Sequence, residues 1–368
     1  MLKNSNNKND ENNLDLDAIS TLFNRDGFVL IENFLPTTMI DELLIETKNL
    51  VEQFDPQQTL NNDNEEVTIF SAGQKQSTNE YFLGSGDKIR YFLEQDAWDE
   101  KNNSLRVPKI NSLNKIGHAL HWLNPVFKRF TFQQRFQNIV RSIGFEDPLV
   151  VQSMVIFKNP RIGTEVPDHQ DATFLYSTPD PRVMGVWLPL QDATETNGCL
   201  QFIPGSHRTH PLQKRWIRHL DPIDGRVYME YVHRDWYSIP GNNHHIDSDE
   251  KELLNKSKFI SVPASKGSCL LIDGLVVHRS DPNLSDKARP AYTFHIFDQG
   301  FVHDKYDDDE RKILEHQSTT TSKPKPKPKR QWNPFNWIQP TDQYSFPRLY
   351  RNGHDDDNDY DGVSSDFK

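Results

Sequence analysis

Cysteine is nearly absent: the 368 residues hold only Cys199 and Cys269. Two are too few for a disulfide framework and suit a reducing compartment. Long hydrophobic runs are missing as well. No stretch of about 18 apolar residues occurs, so a membrane-spanning helix is not expected. The opening MLKNSNNKNDENN has no apolar segment of the secretory kind, and the final SSDFK is not an SKL-type peroxisomal ending. Positive charge is in short supply: 42 Lys and Arg stand against 53 Asp and Glu, a net −11. A broad nucleic-acid-binding face is therefore not expected, nor is residence on an anionic membrane. The expected address is cytoplasmic. Apolar residues are sparse at 35%, yet aromatics reach 11% with 7 Trp and 22 Phe. Such a chain has a real core flanked by polar extensions rather than global disorder.

Along the chain, residues 1–14 are Asn-rich and read as disordered. DLDAISTLFNRDGFVLIENFLP reads as a short helix to about Phe23, a turn at Asp26–Gly27 and a strand over Phe28–Ile31. Pro36 and Thr37 open a second helix, with Met39, Ile40, Leu43, Leu44 and Leu50 at helical spacing. Residues 55–80 read as loop, and a helical region is expected over roughly 117–143. From Pro148 the texture changes to short strands: VVQSMVIF, MGVWLPL, CLQFIP, KFISVP, SCLLIDGLVVH and AYTFHIFD. Helices followed by many short strands predict an α+β chain built on a β-sandwich or barrel. The polar, His-rich segment 208–256 is long enough to be a lid or substrate-facing elaboration. Residues 301–330 carry QSTTTSKPKPKPKR, whose Lys-Pro alternation favours an extended solvated insert. Order is expected again at QWNPFNWIQP, where two Trp and Phe335 should be sheltered from water. From Arg351 the tail is acidic and reads as disordered. The main domain is thus 15–300 plus 331–350.

Chemistry concentrates at His169-Gln170-Asp171. In extended backbone, residues two apart point to one side, so imidazole and carboxylate converge. Alone, the pair equally fits a loop His bonded to its neighbour. His278, at the end of the apolar run SCLLIDGLVVH, is a third donor on a rigid element, although a strand-end His is often simply solvated. Two His and one carboxylate with open positions form the facial triad of non-haem iron(II) oxygenases. The same three ligands also serve catalytic zinc. Arg289, eleven residues after His278, separates the readings. 2-Oxoglutarate chelates iron through its keto acid end, and a guanidinium fork suits its far carboxylate. Ser280 shares a strand face with His278 and offers a hydroxyl to the same carboxylate. A zinc hydrolase needs no such pair, and read alone Arg289 is an exposed strand-start arginine.

With these residues in place, the chain resembles the phytanoyl-CoA dioxygenase family. The stretches RDGFVLIENFL, SLNKIGHALH, VPDHQDATFLY, GVWLPLQDATETNGCLQFIPGSH, GLVVHRSDPNLSDKARPAYTFH and NWIQPTDQYSFPRLY run in order over about residues 17–350. The resemblance implies a double-stranded β-helix, a jelly roll with the metal at its open end, with N-terminal and flanking helices. It implies iron(II) held by His169, Asp171 and His278. It further places Lys115, Met154, Trp187, Ser280 and Arg289, with the metal ligands, around 2-oxoglutarate as co-substrate; ascorbate is the expected reductant. The implied activity is oxygen-dependent hydroxylation of a small organic substrate, with succinate and carbon dioxide released. Lacking an evident basic cluster for CoA phosphates in its core, the chain is not expected to use phytanoyl-CoA itself. A non-catalytic metal and 2-oxoglutarate-binding module, or a zinc-dependent hydrolase, remains as an alternative. The sequence does not set an oligomeric state.

Other histidines read as structural. His207 satisfies a turn, His118 and His121 sit at helical spacing as surface or core residues, and His244 and His245 lie in a polar loop. Gly198 and Gly205 read as turn glycines, since no Gly-rich phosphate fingerprint surrounds them.

Overall fold

The structure, a computed structural model, describes residues 2–3, 14–56, 79–99, 101–102, 104–233, 258–300 and 329–350. Its first helix, Leu16–Asp26, begins where Asp15 accepts the Ala18 N–H at 2.9 Å, filling one of the orphan donors of a helix start. It stops at Gly27, whose left-handed φ of 81° closes the last turn through its N–H to Phe23 O. That conformation suits glycine, and no side chain fits there, because a Cβ would stand 2.5 Å from the His207 ring. The chain leaves directly into the strand Phe28–Glu32.

An eight-stranded sheet forms the main wall. Starting from the edge pair Leu2–Lys3, its order is Phe28–Glu32, Cys269–Asp273, Val183–Pro189, Ala291–Asp298, Pro148–Ile156, Leu113–His118 and Ile89–Leu93. Beyond the parallel Leu2–Lys3 edge, the pairings are antiparallel. A four-stranded sheet, ordered Ile260–Val262, Leu200–Phe202, His278–Ser280 and Val166–His169, forms the second wall. Side-chain alternation sorts the core between the layers. Val29, Ile31, Val155, Met184, Val186, Leu188, Leu271, Tyr292, Phe294 and Ile296 face the helices, packing with Ile19, Phe23, Leu43, Phe127 and Phe136. Phe28, Leu30, Trp187, Leu270, Ile272 and Ala291 face the small sheet, packing with Phe202 and Val262. The strands Cys269–Asp273 and Val183–Pro189 are therefore apolar on both faces, which is why they read as near-continuous hydrophobic runs.

The expected α+β jelly-roll class is what the structure has, with four departures. The helical region expected over 117–143 begins as strand: Leu113–His118 pairs with both neighbours, and helix follows at Leu120–Leu123, Pro125–Thr131 and Gln134–Ser142. LNKIGH shows no two-residue alternation; a register shift opposite Phe92 and Leu93 lets both Leu113 and Ile116, three apart, reach the core. SCLLIDGLVVH is not one strand. Cys269–Asp273 belongs to the large sheet, the chain turns at Asp273–Val276 with a 3.0 Å backbone bond, and His278 opens a strand of the small sheet. The segment expected as a long loop holds a hairpin, Lys214–Leu220 with Val227–His233; residues 234–257 lie outside the described part. Phe335 is 46% exposed, whereas Trp337 and Ile338 are the buried anchors of that stretch. Nearly all of the expected Asn-rich start (residues 1 and 4–13), most of the 301–330 insert (301–328), the tail 351–368, His244 and His245 lie outside the described residues. Among the described residues, no helix is long and apolar enough to cross a membrane.

Candidate active site

The Val166–His169 strand ends at His169, Gln170 stays extended, and Asp171 opens a short 3-10 turn. His169 and Asp171 are thereby turned toward one another across the two-residue step. Across the sheet His278 is the direct antiparallel partner of His169. The two rings approach to 4.2 Å between centroids. Asp171 Oδ1 lies 3.5 Å from His169 Nε2 and 3.7 Å from His278 Nε2. One donor atom from each of the three lies within 4.8 Å of the others, and among the described residues this is the grouping that fits a metal ion.

Hydrogen bonds behind the rings settle which nitrogen is offered. His169 Nδ1 donates to Pro167 O at 2.9 Å and His278 Nδ1 to Val276 O at 3.0 Å. A carbonyl only accepts, so the proton sits on Nδ1 and the Nε2 lone pair faces the carboxylate. Metal-ligating histidines are oriented by outer hydrogen bonds of this kind. Burial pushes His278 down to about 4, helped by the nearby charge of His169, so its imidazole is neutral at physiological pH. Burial alone would raise the Asp171 carboxyl, but His278, His295 and His169 hold it well below the usual range. For His169, burial acts downward and is outweighed by the bond and charge of Asp171, so the net shift is upward. With a metal in place of any proton on His169, two imidazole nitrogens and one carboxylate make a donor set suited to a divalent transition metal.

A buried cation with no acidic partner among the described residues shares a carbonyl with Ser280, two residues beyond His278. Arg289 is 2% exposed. Its Nη2 donates to Gly198 O at 2.8 Å, its guanidinium carbon stands 5.2 Å above the Trp187 ring, and its Nε has no hydrogen-bond partner. Burial pushes Arg289 down to about 10, still protonated at neutral pH. Ser280 Oγ reaches the same Gly198 carbonyl at 3.4 Å. Trp187, Thr293, Met154 and Gly117 form one cross-strand row on the large sheet. Trp187 and Met154 share the face that carries Ala291, toward the small sheet. Lys115 lies on the same strand as Gly117, partnered with Ile156; burial drives it down to about 7 against the opposing charge of Glu94. The structure thus joins Ser280 and Arg289 at the Gly198 carbonyl, sets Arg289 over Trp187, and places Met154 and Lys115 on adjoining strands of the large sheet.

Two groups near the triad escape sequence reading. His295 Nε2 lies 3.4 Å from Asp171 Oδ2; its alternation with Thr293 along an apolar strand was the available signal. Phe174 meets the edge of the His169 ring at 6.1 Å and Trp216 at 6.0 Å. The structural readings of other residues agree with their contacts. His207 bonds Asn24 O at 3.1 Å, and Gly198 and Gly205 take left-handed turns. His118 and His121 are both buried, bonded to Ser85 and to Ser153 with Tyr344 respectively.

A large and a small antiparallel sheet with a His-x-Asp and distal His between their facing edges define the double-stranded β-helix class. The epimerase SnoN from nogalamycin biosynthesis, a non-heme alpha ketoglutarate dependent enzyme, shares this fold at TM-score 0.52 and 15% identity, covering 91% of this chain and 98% of that one. A second SnoN structure is a complex with Fe3+, alpha ketoglutarate and nogalamycin RO. Within the class, the chain belongs to the phytanoyl-CoA dioxygenase family, whose model matches residues 23–291. Relatives include the phytanoyl-CoA dioxygenase domain-containing protein 1 homolog of Caenorhabditis briggsae, 40% identical over 89% of this chain and 97% of that protein. Phytanoyl-CoA dioxygenase domain-containing protein 1 of Bos taurus is 38% identical over 89% of this chain and 96% of that protein.

Proposed function

We propose that the chain is an iron(II)- and 2-oxoglutarate-dependent dioxygenase that hydroxylates a small organic substrate. The observation that carries the reading is Arg289, a buried guanidinium that no carboxylate of the described residues neutralises, beside the His169, Asp171 and His278 grouping. A buried charge left unpaired is costly, so the site is built for an anion. A dicarboxylate that meets a metal at one end and a guanidinium at the other fits both features at once. Iron(II) with 2-oxoglutarate supplies oxidative decarboxylation of the co-substrate to succinate and carbon dioxide, coupled to hydroxylation of a C–H bond.

In this reading His169 Nε2, His278 Nε2 and Asp171 Oδ1 hold the metal. Asp171 balances charge, and the carbonyls of Pro167 and Val276 keep the ring lone pairs aimed inward. Arg289 and Ser280 hold the far carboxylate of 2-oxoglutarate, with Trp187 stacked under the guanidinium. Met154 and Lys115 complete the wall, with the Lys115 amine held down to about 7 by its burial. Phe174 and Trp216 give the substrate side an aromatic edge next to His169, which suits an apolar C–H donor and sheds water. Ascorbate is included as the reductant that keeps the iron ferrous. A cytoplasmic address and a substrate other than phytanoyl-CoA complete the proposal.

The test is succinate formation by the purified chain loaded with iron(II) or with zinc(II), in air and under argon, in the presence of 2-oxoglutarate and ascorbate. Succinate that needs both iron and oxygen supports the reading. A hydrolytic activity that persists with zinc under argon, without succinate in any condition, overturns it. Phytanoyl-CoA enters as one candidate among free acids and neutral lipophilic molecules, each scored by stimulated succinate release.

A further inference from the structure

Asp171 presents its two oxygens to different partners. Oδ1 is the oxygen nearest to both histidines of the grouping, at 3.5 and 3.7 Å. Oδ2 points away from them and lies 3.4 Å from His295 Nε2. His295 comes from the Ala291–Asp298 strand, in the large sheet, and is buried. Its Nδ1 is 3.0 Å from Gln152 Nε2 on the adjoining strand. An amide nitrogen only donates, so Nδ1 accepts and the ring proton resides on Nε2, facing the carboxylate. Gly185, the direct cross-strand partner of His295, keeps the gap clear. A Cβ there would stand 3.3 Å from Asp171 Oδ2 and 3.5 Å from His295 Nε2.

We infer that His295 is a positioning residue for the metal ligand Asp171, an inference that rests on the metal-binding reading above. A carboxylate attached to the chain by two rotatable bonds has no intrinsic reason to offer one oxygen rather than the other. The relay from Gln152 through His295 to Oδ2 fixes that rotation and leaves Oδ1 between His169 and His278. Because His295 meets the far oxygen, it stands outside the three-residue grouping that fits a metal and serves that grouping from behind. Gln152 sets the tautomer, His295 delivers the donor, and Gly185 leaves the space in which they meet. Outer hydrogen bonds of this kind typically carry 10–100-fold in metal affinity.

Cobalt(II), an iron surrogate with a visible spectrum, is titrated into the metal-free full-length protein and into His295→Leu, His295→Gln and Gln152→Leu, with the metal-free melting temperature of each recorded. His295→Leu is expected to bind cobalt roughly 10–100-fold more weakly, with an altered ligand-field spectrum. His295→Gln, which keeps a donor, recovers most of that loss, and Gln152→Leu shows a smaller weakening. A purely structural role would lower the melting temperature while leaving the affinity and spectrum of the folded protein unchanged. Wild-type affinity and spectrum in folded His295→Leu overturn the role of His295. If His295→Leu does not fold, Gln152→Leu decides the matter, and wild-type affinity there overturns it equally. A wild-type chain that binds no cobalt overturns the metal reading itself, a result distinct from tight binding that is indifferent to His295.

Discussion

Replacing Arg289 with methionine separates what this residue does for the fold from what it does for a ligand. In the structure the guanidinium is buried, makes one 2.8 Å bond to Gly198 O, lies over Trp187 and leaves Nε without a partner. Methionine fills a similar volume without charge. It forfeits one charge-assisted hydrogen bond to a carbonyl, roughly 1.5–3 kcal/mol, and relieves the desolvation of a buried charge, on the order of several kcal/mol. The ligand-free variant is therefore expected to melt at or above the wild type. Binding moves the other way. Truncating one partner of a buried charge pair costs roughly 2–5 kcal/mol, which weakens 2-oxoglutarate binding by about 30- to 4,000-fold at 1.4 kcal/mol per decade. Arg289→Lys keeps the charge and loses the fork, so its affinity falls between the two. Calorimetry on the manganese(II)-loaded protein under argon measures these affinities. Melting curves supply the second readout, since ligand at 100 times its Kd stabilises the wild type by about 2.7 kcal/mol and Arg289→Met by almost nothing. Unchanged 2-oxoglutarate affinity in Arg289→Met, or a markedly less stable ligand-free variant, refutes the reasoning that this arginine awaits an anion.

Further expectations follow from the same geometry. Gly198→Ala places a Cβ 2.5 Å from Asp281 O at a φ of +83°. The backbone term alone is about 1–2 kcal/mol, and displacement of the Gly198 carbonyl, which holds both Arg289 and Ser280, lowers 2-oxoglutarate affinity as well; urea unfolding and calorimetry check the two effects. Phe294→Ala removes a fully buried ring packed edge-on against Phe136 at 5.3 Å and is expected to cost about 3–5 kcal/mol by urea unfolding. His121, bonded to Ser153 and Tyr344, is pushed down to about 3 by burial. Its folded pKa lies below the unfolded one, so the unfolded chain takes up the proton first and stability falls with pH below about 6.5, continuing toward about 3. That term amounts to roughly 2 kcal/mol between pH 6.5 and 5, at about 1.4 kcal/mol per unit. It should shrink in His121→Gln when urea midpoints are compared at the two pH values.

Much of the architecture is legible in the sequence because the large sheet is apolar on both faces. MGVWLPL, SCLLI and AYTFHIFD each feed Val186, Leu271 or Phe294 to the helices and Trp187, Leu270 or Ala291 to the small sheet. The same two-sidedness hides where strands end. SCLLIDGLVVH reads as one strand because Val276 and Val277 stay buried through the turn that carries the chain from one sheet to the other. Gly117 and His118 fall within the expected helical region because His118 and His121 are three apart, while the pairing partners of Leu113–His118 lie far away in sequence. At the site, His169, Asp171, His278, Ser280 and Arg289 are legible as a chemical set, since each type has a role that few others fill. Met154 and Trp187 look like core in any local window and gain meaning from family resemblance. His295 signals only through its alternation with Thr293: within AYTFHIFD nothing local shows that its ring meets Asp171, 124 residues away in the chain.

The central claim is that His169, Asp171 and His278 assemble a metal site that turns over 2-oxoglutarate. Release of carbon dioxide from 2-oxoglutarate labelled at its first carbon tests it most directly. The iron-loaded wild type would be compared with Asp171→Ala and His278→Ala under air. The account predicts oxygen-dependent release from the wild type, matched by succinate, and release at the level of free iron from both variants. Undiminished release from either variant, or none from a wild type that demonstrably binds iron and 2-oxoglutarate, would contradict it.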